Sequence, residues 1–124
     1  MKKALLLIAA FGFVLLAQAQ KATWKEMDEF HNVMSPTFHP AEENNLEPLK
    51  KNAGDLLAKA QAWQNSTVPA GFKADVTKPI LKRLVKQCKL VNKSVKAGKS
   101  DAELKTMITT AHDIFHEIME KCRE

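Results

Sequence analysis

Four times between Trp24 and Cys122, apolar side chains recur at three- and four-residue steps, and no stretch alternates apolar with polar as a half-buried strand would. Each stretch therefore reads as a helix with one apolar stripe, and the stripes have only one another to be buried against. The first stripe is Trp24, Met27, Phe30, Met34 and Phe38, on a helix from Thr23 to Met34 or Phe38 with Ser35-Pro36 as its end or a kink. The second helix runs from Glu42 or Asn45 to Gln64 and carries Leu46, Leu49, Ala53, Leu56, Ala60 and Trp63, with Pro48 and Gly54 as local weak points. A linker, Asn65–Asp75, contains Pro69 and Gly71. The third helix, Thr77 to Ala97, has Leu81, Leu84, Cys88, Val91 and Val95 as its seam, and Gly98 ends it. Ser100-Asp101-Ala102-Glu103 is a capping box that opens the fourth, which carries Leu104, Ile108, Ala111, Phe115, Ile118 and Cys122. Short connections make an all-α, antiparallel up-down-up-down four-helix bundle the expected fold.

Ahead of the stripes, Met1-Lys2-Lys3 precedes an apolar run from Ala4 to Ala17 and the small-x-small triplet Ala17-Gln18-Ala19. This is the pattern of a secretory signal peptide, residues 1–19, leaving residues 20–124 as one bundle domain. The run is short for a transmembrane helix. No cysteine stands at the cleavage site, which argues against a lipoprotein anchor. The periplasm is the expected destination, with secretion as the alternative, and no membrane partner is expected after cleavage. Losing Lys2 and Lys3 takes the formal charge from +5 to +3. With no basic block and no basic–aromatic interleaving, nucleic acid is not an expected partner. The lysines of Lys73–Lys99 read as a solvated face spread round the third helix.

The histidines carry the functional signal. His112 and His116 stand one turn apart on the fourth helix; His31 and His39 lie near the front; none occurs between. Helical phase puts His31 among Trp24, Met27, Met34 and Phe38, inside the apolar stripe, where a desolvated imidazole needs a partner. In an antiparallel pairing of helices one and four, residues at one height have numbers summing to about 145. Met27 and His31 then lie level with His112 and His116. Two chemistries fit. His31, His112 and His116, completed by Met27 or a carboxylate, suit copper or zinc. Alternatively, one histidine and one methionine on facing helices can be the axial ligands of a haem.

With Met27 near the start of the first helix and His116, in Phe115-His116-Glu117, near the end of the last, the chain resembles the small periplasmic b-type cytochromes. The Lys96-Ala97-Gly98-Lys99 turn and the closing basic residues are similar too. That resemblance implies a four-helix bundle holding haem b between Met27 and His116, as an electron carrier. His31, His39 and His112 depart from the family's pattern. The Cys-x-x-Cys-His motif of covalent haem attachment is absent. Trp24, Phe30, Phe72 and Phe115 can line a haem slot, so the residues leave metal and haem both open.

His39 and Glu43, in Thr37-Phe38-His39-Pro40-Ala41-Glu42-Glu43, fall one turn apart if the second helix begins early, and are candidates to complete the metal shell. Otherwise Pro40, Glu42 and Glu43 make an ordinary first turn. Met27, Met34, Met107 and Met119 are ordinary core fillers apart from any ligation. Cys88 and Cys122 differ in height by about a dozen residues, roughly 18 Å at the helical rise, and a disulfide needs Cα atoms within about 7 Å. No intrachain bond is expected. Cys88 is then a buried thiol or a soft ligand, and Cys122 a candidate for pairing in a homodimer. His-Glu-x-x-His, nucleophile and phosphate-loop motifs are absent, so no enzyme is expected. The leading expectation is an exported copper- or zinc-binding bundle for sequestration, delivery or sensing. The haem electron carrier and a cofactor-free interaction or stress protein are the alternatives.

Overall fold

The computed structural model describes residues 22–124. The expected signal peptide and its cleavage site lie outside the described residues. Four helices follow in order: α1 (Lys25–Glu42), α2 (Glu47–Asn65), α3 (Ala74–Lys96) and α4 (Asp101–Lys121). Each packs against its neighbour in sequence, α1 also meets α4, and the diagonal helices reach one another only through side chains. That is the expected four-helix bundle in up-down-up-down order, with α1–α4 as its most sparsely packed edge.

The periodic residues built the core. Phe30, Met34, Leu49, Leu56, Trp63, Leu84, Ile108 and Ile118 are all fully sealed from solvent. Trp63 meets Trp24 edge-on at 5.8 Å and leans on Phe30 and Phe115 at 5.5 and 6.0 Å. The Trp24 indole N–H donates to Ser66 Oγ at 2.9 Å, while the buried Trp63 indole N–H has no partner. Both ends of the bundle are tied. At one, Lys105 Nζ donates to the Glu42 carbonyl at 3.2 Å and to Asn44 Oδ1 at 3.0 Å, and Lys50 meets Asp101 at 2.9 Å. At the other, the segment after α4 lies along the linker: Lys73 N–H donates to the Cys122 carbonyl at 2.7 Å, and Glu124 N–H to the Gly71 carbonyl at 2.9 Å.

The first loop differs from the sequence expectation. α1 neither ends nor breaks at Ser35-Pro36; it runs through Pro36 and Pro40 to Glu42. A proline inside a helix deprives the carbonyl four residues earlier of its donor. Here those carbonyls belong to Asn32 and Pro36, which are exposed to water. Thr37 Oγ1 also donates to Val33 and Met34 carbonyls at 3.1 and 2.9 Å beside the gap. The helix stops in a Schellman turn. Asn44 takes φ +67°, its N–H donates to the Ala41 carbonyl, and Asn45 N–H donates to the Pro40 carbonyl. α2 therefore starts at Glu47, and Pro40, Glu42 and Glu43 do not form its first turn. α3 ends as expected in a matching turn, with Gly98 at φ +69°, Gly98 N–H on the Val95 carbonyl and Lys99 N–H on Ser94. Ser100 Oγ accepts from Glu103 N–H at 3.2 Å and opens α4.

Two further expectations change. Cys88 and Cys122 are free, as the helix register implied, but both are fully buried, so Cys122 does not offer its thiol to a second chain. The lysines of α3 are exposed, yet they are gathered on one side rather than spread round the helix. Lys78, Lys82, Lys86, Lys89, Lys93 and Lys96 follow one another at three- and four-residue steps, within roughly 80° of arc at 100° per residue.

Candidate metal centre in the α1–α4 groove

α4 turns Ile108, Ala111 and Phe115 inward, which leaves His112 and His116 on the flank that faces α1. His112 is half-buried and His116 exposed. Their Nε2 atoms lie 3.2 Å apart. The His112 ring lies flat on Phe38 of α1, with centroids 3.6 Å apart and planes 7° from parallel. Phe38 thus fixes the plane of the imidazole from across the groove, and Phe38 is itself buried.

The other two histidines continue the same strip. His31 stacks on Phe115 at 5.6 Å and 15°, and Phe115 sits edge-on to His116 at 5.9 Å. His39 lies 5.6 Å from Phe38. Among the described residues, all four histidines and two phenylalanines form one continuous run of rings across α1 and α4. The sequence register was sound: His31 meets α4 at Phe115, the residue beside His116, and Phe30 meets the same ring at 5.5 Å.

The ligand set is smaller than expected. His31 is exposed, not desolvated within the stripe. Its neighbours on the stripe, Met27, Phe30 and Met34, are buried, so its phase falls just past the boundary of the core. Met27 is 2 % exposed, inside the core, while His116 points outward to His112. The interior between them is filled by Phe30, Trp63 and Phe115, and a haem spanning Met27 and His116 would require those rings to move. His39 pairs with Glu42, Nδ1 to Oε1 at 3.1 Å, because α1 continues through both; Glu43 is the exposed residue that closes the helix. Glu117 turns to α3 and holds Arg83 at 3.0 Å. Cys88 is enclosed, and burial pushes its thiol up to about 12. Among the described residues, no three histidine, cysteine or acidic groups converge on one point.

What converges is the pair. Desolvation in the groove lowers the pKa of His112, and repulsion from His116 and His39 adds to this; Asp113 and Glu42 pull the other way. His112 is therefore neutral at neutral pH, with a lone pair to give. At this separation the two Nε2 atoms are joined by one hydrogen bond, with the proton on one ring and the lone pair on the other. The separation is also a coordination bite. Zinc–nitrogen bonds of about 2.0–2.1 Å at a tetrahedral angle set the two nitrogens about 3.3 Å apart. Square geometry sets them about 2.9 Å apart. The observed 3.2 Å lies between the two.

Sequence reasoning missed Phe38 as the platform for His112 and Glu42 as the partner of His39. The three-residue spacing of His39 and Glu42 shows the second once Pro40 lies inside α1 and not at a helix start. Comparison with protein-family models, curated proteins and solved structures gave no match.

Proposed function

We propose that this chain is an exported, non-enzymatic metal-binding bundle that takes one copper or zinc ion on His112 and His116. The observation that carries the reading is the 3.2 Å approach of the two Nε2 atoms, one of them on a ring clamped flat by Phe38. Imidazole nitrogen suits both metals. Binding would use both Nε2 lone pairs; the proton that joins the rings would pass through solvent to the vacant Nδ1 of the donor ring, so that each neutral imidazole carries its one proton on Nδ1. His39 and Glu42 stand beside the pair and contribute to its charge balance; solvent supplies the remaining positions on the exposed His116 side. Two protein ligands and an open outer face suit carriage and hand-over better than permanent storage, since an incoming ligand can attack without unfolding the site. The leader-like start, with its basic residues, apolar run and Ala17-Gln18-Ala19, supports export.

Calorimetric titration of Zn²⁺ and Cu²⁺ into the wild-type chain and four single variants tests this. His112→Ala and His116→Ala should each weaken binding by at least about tenfold, as loss of a directly bonded ligand should exceed loss of a supporting contact. His31→Ala and His39→Ala should change it far less, because neither side chain hydrogen-bonds to an imidazole of the pair. Equal loss in all four, or no loss in the first two, contradicts the assignment.

A further inference from the structure

The outer face of α3 is the other concentrated feature of the molecule, and the metal site does not use it. Its six lysines form one ridge from Lys78 to Lys96, about 27 Å long at the helical rise. Among the described residues, none of the six has an ion-pair partner. Asp75, at the start, is the only acidic residue on the helix. Like charges at such spacings weaken a helix, so gathering six lysines along one side does not help α3 to form. The C-terminal turn of α2 has no basic residue of its own, and Lys78 and Lys82 lie beside it. That gives those two a local role; Lys93 and Lys96 stand in the last turn of α3 and complement its dipole, and Lys86 and Lys89 are left without one.

Two more observations concern the flanks of the ridge, the hollows on its α2 side and Leu90 on the other side, about 40° past Lys86. Adjoining hollows of about 290 and 300 Å³ run between the end of α2 and α3; both include Gln64 and Lys82, and Leu81 and Val85 form part of their floor. Among the described residues, Leu90, 45 % exposed, is the large apolar side chain left in solvent, and it stands one turn from Lys86 and from Lys93. Ammonium groups on long apolar stems beside an apolar floor and one protruding leucine make an interfacial surface.

We infer that the α3 ridge docks this protein on an anionic lipid surface. Lysine supplies point charges without the fixed bidentate fork of arginine, which suits mobile headgroups that rearrange under a line of cations. The ridge bears no aromatic ring on which a base could stack. No described helix is long and apolar enough to span a membrane, so the contact is peripheral. The α2–α3 edge lies across the bundle from the α1–α4 groove, so a docked molecule presents its histidine strip to solvent. This inference stands apart from the metal reading.

The test is co-sedimentation of the full chain, purified as its cells make it, with phosphatidylcholine vesicles containing or lacking 30 % phosphatidylglycerol. The ridge variant Lys82→Glu/Lys86→Glu/Lys93→Glu is compared with Lys25→Glu/Lys51→Glu/Lys59→Glu, which has the same net charge. A retained leader contributes equally to all chains. Wild type should prefer the anionic vesicles by at least about tenfold at low salt, and lose the preference in high salt. The ridge variant should lose it, and the control should keep most of it. Equal loss in both variants, or equal binding to neutral vesicles, overturns the inference. So does a ridge-dependent affinity for duplex DNA without one for vesicles. Unchanged circular dichroism confirms that the variants fold.

Discussion

At the scale of single residues, the decisive contacts are between rings. Phe38 holds His112, Phe115 carries His31, and His112 meets His116. A histidine whose folded pKa is lowered holds its proton less tightly than in the unfolded chain. Above the unfolded value of about 6.5, His112 therefore costs no stability. As pH falls through that value, the unfolded state takes up the proton first and stability declines. Urea midpoints at pH 7.5 and 5.5 should show the fall in wild type and a smaller fall in His112→Gln. Metal binding should weaken over the same interval, because the proton competes for the same lone pair. The two thiols make a second residue-scale prediction. Both are sealed, and Cys88 has its pKa raised, so neither should react with an aromatic disulfide reagent at pH 8 until the chain unfolds. Rapid modification of one thiol in the native protein would contradict the packing. The sequence identified the four histidines, but not that His31 lies outside the core edge. One residue of helical phase decides burial there, and periodicity is not that sharp at the end of a stripe.

At the scale of elements, all four stripes were legible, because burial depends only on spacing and residue type. The first loop was not, because a proline's cost depends on which way its orphaned carbonyl faces. Asn32, Pro36 and Pro40 share the side of α1 that faces away from the core, so water can replace the lost donors, and α1 keeps another turn beyond Phe38. That turn places His39 and Glu42 on α1 and gives Lys105 a helix end to hold. The two Schellman turns are the structural commitments of this region. Asn44 and Gly98 both need positive φ. Gly98→Ala should cost about 1–2 kcal/mol, although nothing crowds the added methyl group. Asn44→Ala should cost about 1–2 kcal/mol and also lose the Lys105 bond, whereas Asn44→Gly loses only that bond. Denaturant midpoints at constant slope check the order.

At the scale of the whole molecule, antiparallel order determines which residues meet. The histidines lie at the two ends of the domain in sequence, and the bundle closes those ends together along the α1–α4 edge, its most open side. The same closure sends the lysine ridge to the opposite edge, so a modest net charge conceals a molecule with a basic side and an imidazole side. The register was visible in advance from helix lengths and turn positions. The identity of the converging pair was not, because it depends on side-chain directions that spacing alone leaves open. The central claim is most directly tested by following the imidazole ¹⁵N resonances of the four histidines while one equivalent of Zn²⁺ is added. The account predicts saturation at one ion per chain, with Nε2 of His112 and His116 shifting to metal-bound values and both rings fixed as the Nδ1–H tautomer. His31 and His39 should shift little. Zinc-induced shifts confined to His31 or His39, or none at any histidine, would contradict it.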